Sequence, residues 1–143
     1  MKDRAQTAVF HSPGLLTVIV PTRNEAQNIL PLLKRLAAAL TGVPFEVLFM
    51  DDSTDNTPEA IAQAAPCFPF PVQVIARPPE QRNGLSGAVV EGFGAARGEW
   101  LCVMDADLQH PPELVPALLT RAQEKPVAPG PTTGRENART RRW

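Results

Sequence analysis

Apolar residues fall into two rhythms along this chain, and the rhythms alternate. Leu15-Leu16-Thr17-Val18-Ile19-Val20 is a β-branched run of strand length, stopped by Pro21. After the polar stretch Thr22-Arg23-Asn24-Glu25, the residues Ile29, Leu32, Leu33, Leu36 and Leu40 recur at the spacing of one helix face. Asn24 or Asn28 is its cap, and Gly42 and Pro44 close it. Phe45 to Met50 predicts a second strand, and Thr57 before Pro58 opens a second helix to about Ala65. Val72 to Ala76 predicts a third strand. Gly84-Leu85-Ser86-Gly87 then leads into a helix through Ala96, with Gly98 as its stop. Trp100 to Met104 is a fourth strand run. A last helix starts near Pro112 and reaches about Arg121 through Leu114, Val115, Leu118 and Leu119.

Strand then helix, four times over with short connections, predicts an α/β fold. We expect a Rossmann-like parallel sheet with helices on both faces and right-handed crossovers. All strands then end on one rim. Thr22-Arg23, Asp51-Asp52, Arg77 and the Asp105–Asp107 stretch cluster there wherever the sheet order permits. The domain occupies residues 15–120. Residues 1–14 are polar and predict a flexible N-terminus, and 121–143 form a Pro-rich basic tail expected to be disordered.

Composition narrows the function classes. With 143 residues and 43% hydrophobic content the chain can bury a real core. Residues 1–120 carry eight Lys and Arg against thirteen Asp and Glu, and residues 121–143 carry six against two. The body is therefore acidic, which argues against nucleic acid as a partner. Cys67 and Cys102 have no metal or redox spacing, and neither a signal-peptide core nor a membrane-spanning run is present. A cytoplasmic location is expected. Any peripheral association with the inner membrane face comes through a lipid substrate or a membrane-protein partner.

The fourth strand run ends in Asp105-Ala106-Asp107, with Gln109 and His110 next and Pro111-Pro112 blocking further strand. Two carboxylates at the mouth of a parallel sheet suit Mg²⁺ or Mn²⁺ shared with a phosphate. Asp is equally at home as a turn former after a strand. Asp51 and Asp52 fit hydrogen bonding to a base or ribose, or a turn and cap cluster with Ser53, Thr54 and Asp55. Gly84 to Gly87 can offer backbone N–H groups to a diphosphate, with Arg77 and Arg82 beside it as phosphate partners. The Gly stretch lacks a full phosphate-binding signature and also reads as a simple loop. His110 reads as a substrate contact or a loop residue.

Five stretches together resemble a known family. They are Val20-Pro21-Thr22-Arg23-Asn24-Glu25, Met50-Asp51-Asp52-Ser53-Thr54-Asp55, Gly84 to Phe93, Ala96 to Trp100, and Met104-Asp105-Ala106-Asp107-Leu108-Gln109-His110-Pro111-Pro112-Glu113. They look like family 2 glycosyltransferases of the GT-A fold, most of all the dolichol- or polyprenol-phosphate mannosyltransferases and their bacterial relatives. The resemblance implies a nucleotide-sugar donor (GDP-mannose or UDP-glucose), an isoprenoid-phosphate acceptor at a membrane surface, and inversion at the anomeric carbon. It implies that Pro21, Arg23 and Glu25 lie by the nucleotide and that Asp51 or Asp52 contacts the base or ribose. Asp105, Asp107 and Gln109 match the metal and diphosphate positions, with Asp105 and Asp107 the catalytic pair. Arg77 and Gly84 join the nucleotide-sugar set.

The chain departs from the family in three places. Arg23 stands where the family often has an aromatic residue, and the Asp-Asp-Ser-Thr-Asp turn is one residue shorter than the common form. The matching pattern stops near Leu119, short of the acceptor half that such domains normally have. The expectation is a truncated donor half with little or no transfer of its own. The alternative is a non-catalytic nucleotide-sugar or metal-binding remnant. A phosphoacceptor signalling domain and a nucleotidyltransferase also gather acids at strand mouths, but the first lacks an evident Lys partner here.

Overall fold

The computed structural model describes residues 12–82 and 84–124 and the backbone of 141–142. Of the flexible terminus expected over residues 1–14, residues 1–11 lie outside the described residues and 12–14 belong to the first strand; of the tail expected over 121–143, residues 125–140 and 143 lie outside them and 121–124 belong to the last helix. Strands β1 (Ser12–Thr22), β2 (Phe45–Asp51), β3 (Val72–Ala76) and β4 (Gly98–Val103) alternate with helices α1 (Ile29–Ala39), α2 (Thr57–Ala64), α3 (Leu85–Ala95) and α4 (Val115–Glu124). Arg141–Arg142 adds a two-residue edge strand, β5. All pairings are parallel, in the order β3-β2-β1-β4-β5.

The two faces of the sheet bury different sets of side chains, as the period of two in a strand requires. Leu16, Val18 and Val20 of β1 and Val47 and Phe49 of β2 face the larger core. It is closed by Ile29, Leu32, Leu33 and Leu36 of α1, Ile61 of α2, and Val115 and Leu119 of α4. Ile19, Leu48, Met50 and Leu101 face the other way, onto α3 through Ala88 and the following Ala96. Small residues on α3 let it lie close. A Cβ on Gly92 would stand 2.8 Å from Ile19 Cγ2. Every residue of β2 is buried, Glu46 and Asp51 included.

Several boundaries differ from the sequence expectation. Strand β1 starts at Ser12 because Ser12 pairs with Gly98, across a register shift from the Leu16–Trp100 pair. Gly98 belongs to β4 and does not merely stop α3. Its N–H donates to Thr17 Oγ1 at 2.8 Å, and a Cβ there would meet the Thr17 nitrogen at 2.6 Å. Helix α2 begins at Thr57 itself with Asn56 at the cap position, and the Thr57 N–H is taken by Asp55 Oδ1. Helix α4 runs to Glu124, past the predicted end at Arg121. Neither Asn24 nor Asn28 caps α1: Asn28 is at the cap position without a side-chain cap bond, and its amide donates to Glu25 instead. Among the described residues no helix is long and apolar enough to cross a membrane.

One polar cluster lies inside the sheet, at the end away from the strand mouths. Glu46 accepts from Thr17 Oγ1 at 2.6 Å, from the Arg97 N–H at 3.0 Å, and from Arg97 Nε and Nη2 at 3.0 and 2.8 Å. A carboxylate this well provided with donors is tolerated where an unpaired one is not. It clips the start of β4 to β2 across β1.

Three stability predictions follow from this packing. Gly98→Ala forces a methyl against β1 backbone and is expected to cost about 1–3 kcal/mol. Gly94→Ala meets nothing within 4 Å and is expected to gain about 0.5–1 kcal/mol from helix propensity. Glu46→Ala, which strands four donors, is expected to cost about 3 kcal/mol. Urea unfolding of the three variants checks all of these; a Gly98→Ala midpoint equal to wild type would contradict the close approach.

Candidate functional site

The strand order reverses at β1. The chain moves outward through β2 to β3, then returns under α3 to place β4 on the other side of β1. In open α/β sheets the ligand crevice lies beyond the strand ends at such a reversal. A cavity of about 490 Å³ occupies that place, a size suited to a small organic ligand. The end of β1 contributes Pro21 and Thr22, with Arg23 and Glu25 just beyond, and the end of β2 contributes Asp52 and Thr54. Gly84, Leu85 and Ala88 come from the start of α3, preceded by Arg82. Asp105, Ala106 and Asp107 come from the end of β4.

Seven of the predicted residues therefore meet in one crevice: Pro21, Arg23, Glu25, Asp52, Gly84, Asp105 and Asp107. Asp51, Arg77 and Gln109 do not line it. Leu85, Ala88 and Thr54 line it without having been predicted individually. Leu85 carried a usable signal, because the residue after the Gly84 turn opens a helix, yet it is 61% exposed at the crevice. Gly84 has φ of 96°, a region that favours glycine over any residue with a Cβ.

The adjacent acids Asp51 and Asp52 have opposite fates. Asp51 is fully buried. Its Oδ1 accepts from Thr22 Oγ1 at 2.7 Å and from Ser53 Oγ at 2.6 Å, and its Oδ2 accepts from the Ser53 N–H at 3.1 Å. Ser53 Oγ in turn accepts the Asn24 N–H at 2.8 Å. Asn24, in the left-handed region at φ of 57°, returns its side-chain oxygen to the N–H groups of Thr54 and Asp55 at 2.9 and 3.2 Å. Thr57 Oγ1 accepts the Glu25 N–H at 3.0 Å. These bonds stitch the loop after β1 to the loop after β2, so Asp51, Ser53 and Asp55 act as turn and cap residues. Asp52 faces the crevice.

Beyond β4 the turn is built differently. Asp107 Oδ1 accepts the Gln109 N–H at 3.1 Å, and Leu108 between them sits at φ of 65°. That conformation costs an L-residue about 1–2 kcal/mol, and Leu108 offsets it by packing on the larger core. Asp105 Oδ2 is 3.8 Å from His110 Nδ1, with both side chains about half exposed or more. Farther on, Glu113 and Arg35 of α1 form a two-bond pair at 2.6 and 3.0 Å that ties this segment to α1. The Arg35 hydrogen bonds hold the Glu113 carboxyl below its usual range. The lowered value means that the tie is present above the ordinary carboxylate range and is lost as pH falls through the lowered value.

Four carboxylates and two guanidinium groups line the crevice. The carboxylates are Glu25, Asp52, Asp105 and Asp107, and the cations are Arg23 and Arg82. Among the described residues no group of three or more His, Cys, Asp or Glu is arranged to hold a metal. Two carboxylates left to share an ion with phosphate and water fit Mg²⁺ or Mn²⁺, and do not fit a closed zinc site.

Comparison with known proteins places this arrangement. The family described as glycosyl transferase family 2 matches residues 17–143. The chain belongs to this family. The match extends past Leu119, so the family likeness does not stop where the motifs do. The dolichol-phosphate mannosyltransferase of Pyrococcus furiosus is 45% identical over 105 residues, covering 73% of this chain and 29% of that protein. The undecaprenyl-phosphate 4-deoxy-4-formamido-L-arabinose transferase of Pseudomonas savastanoi is 32% identical over 134 residues, covering 90% of this chain and 39% of that protein. The chain thus spans well under half the length of either relative. The Pyrobaculum calidifontis mannosyltransferase, solved with GDP-Man and Mn²⁺, superposes with a TM-score of 0.66 at 30% identity, over 78% of this chain and 32% of that one. The family's GT-A fold accounts for the parallel sheet and its crevice.

The contrast between the acids is testable by stability. Asp51→Ala leaves the Thr22 and Ser53 donors without their acceptor and is expected to cost about 2–3 kcal/mol. Asp107→Ala, at an exposed turn, is expected to stay within about 0.5 kcal/mol of wild type. Equal losses in thermal and urea unfolding would contradict the division between a buried tie and a presented ligand.

Proposed function

We propose that the crevice is the donor site of an inverting hexosyltransferase that moves a sugar from GDP-mannose or UDP-glucose to a polyprenyl or dolichyl phosphate. The observation that carries this reading is the convergence of Asp52, Asp105 and Asp107 on one cavity at the strand-order reversal. The P. furiosus and P. savastanoi relatives are named for lipid-phosphate acceptors, and the P. calidifontis enzyme was solved with a mannose donor and Mn²⁺.

In this reading Asp105 and Asp107 hold Mg²⁺ or Mn²⁺, with Gln109 at the edge of the same turn. The ion supplies neutralisation of the charge that develops on the departing nucleoside diphosphate. Arg23 and Arg82 pair with phosphate oxygens. Asp52 accepts from the base or ribose, and Glu25, held in place through its N–H and its bond from Asn28, borders the nucleoside end. A lipid phosphate is already anionic, so it needs less from a general base than a hydroxyl acceptor would. Such an acceptor places the reaction at a membrane surface. In this reading the reaction lies on the cytoplasmic side, where a membrane-protein partner can present the lipid.

Asp107→Ala is expected to lower Mn²⁺-dependent affinity for GDP-mannose and UDP-glucose at least about tenfold, since it removes one of two protein ligands. Calorimetry with and without Mn²⁺ measures this, and a sugar-transfer assay to a short polyprenyl phosphate runs beside it. Donor binding without transfer fits the non-catalytic alternative. An Asp107→Ala protein that stays folded and keeps its metal-dependent affinity would sink the assignment.

A further inference from the structure

Arg77, at the end of β3, is 2% exposed. It lies outside the set of residues that line the crevice, yet its guanidinium reaches three pieces that do. Nη1 donates to Asp52 Oδ2 at 3.3 Å, Nη2 donates to the Gln81 carbonyl, and Nε lies 3.5 Å from Glu91 Oε1 in the middle of α3. Its own backbone joins in. The Arg77 N–H donates to the Asp51 carbonyl at 2.9 Å, and its carbonyl accepts from Arg82 Nε at 3.0 Å. One buried cation thus joins the tip of β2, the turn Pro79–Gln81 that leads to Arg82 and Gly84, and helix α3.

Burying a guanidinium seldom adds net stability over an apolar side chain of the same size. Its value is geometric, because a planar fork fixes the groups it bonds. The state of Asp52 gives that geometry a purpose. Its Oδ2 is held by Arg77, whereas its Oδ1 is buried without a hydrogen-bond partner among the described residues. Native proteins rarely leave such an acceptor unfilled. An Asp at the crevice wall with one oxygen fixed and the other unfilled is prepared to accept a donor from a ligand.

We propose that Arg77 is a positioning residue for nucleoside recognition. It presets Asp52, and it does not itself touch the phosphates. This rests on the donor-site reading and adds to it a division of labour among the arginines: Arg23 and Arg82 face the ligand, and Arg77 acts through Asp52.

The test compares wild type, Arg77→Lys, Arg77→Met, Asp52→Asn and the double variant Arg77→Met/Asp52→Asn by calorimetry. The probes are GDP, UDP and inorganic diphosphate, each with Mn²⁺, below the melting temperature of every variant. Arg77→Met is expected to weaken the better-bound nucleoside diphosphate about tenfold or more, the scale for removing one partner of a buried charge pair. Inorganic diphosphate should stay within about twofold, since Arg82 is tethered to the Arg77 backbone carbonyl, which the substitution keeps. Asp52→Asn should add little on top of Arg77→Met, and Arg77→Lys should recover part of the loss, because an ammonium restores the charge without the fork. An equal loss for diphosphate would mean that Arg77 acts on the phosphates, directly or through Arg82, and would overturn the proposal. Additive losses, or no change with any ligand, would overturn it too. If Arg77→Met fails to fold, Arg77→Lys combined with Asp52→Asn carries the same comparison. Wild-type protein that binds none of the three probes would overturn the donor-site reading and this inference with it.

Discussion

Parallel strands cannot be joined by a tight turn, so the chain must cross a face of the sheet between each strand and the next. That constraint shapes everything else in this molecule. Three crossovers of one hand place α1 and α2 on one face and α3 on the other once the chain doubles back past β1. The doubling back puts β1 between β2 and β4 and gathers the C-terminal ends of all three around one crevice. Neither β2 nor β4 alone presents more than a pair of acids. Brought together across β1, they line one cavity with acids from two strand ends and with the Gly84 turn before α3.

The polar residues at the two ends of the sheet serve different ends. Away from the crevice, Glu46 is saturated by Thr17 and Arg97, and its bonds hold strands in register. At the crevice, Asp51 is saturated in the same way and locks two loops together. Asp52, Asp105 and Asp107 retain accepting capacity toward the cavity. The energetic distinction is clear. A carboxylate with all its acceptors used contributes to the fold, and a buried acceptor left without a donor is retained at a cost that a ligand can offset. The unfilled Oδ1 of Asp52 carries that cost. Leu108, held at positive φ between Asp107 and Gln109, adds a backbone cost beside it.

The rhythm of apolar residues by itself determined the four strand–helix pairs, the class of the sheet and the larger core. Burying a stripe at helical or strand spacing leaves few other solutions. The acidic ends of β2 and β4, read with the turn chemistry around them, also marked the rim where the cavity lies. Only the tertiary structure decided which carboxylates face the crevice. Asp51 and Asp52 are adjacent and chemically identical. The pleat sends one inward to Thr22 and Ser53 and the other toward the cavity, and no local signal separates them. Arg77 read as a phosphate ligand because it follows a strand beside a Gly turn. Its true neighbours, Asp52 and Glu91, are twenty-five and fourteen residues away along the chain, and only the sheet order brings them within reach. Caps were missed for a like reason. Asn24 and Asn28 were free in the sequence to cap their own helix, but Thr54, Asp55 and Glu25 stood closer in space and took their side chains.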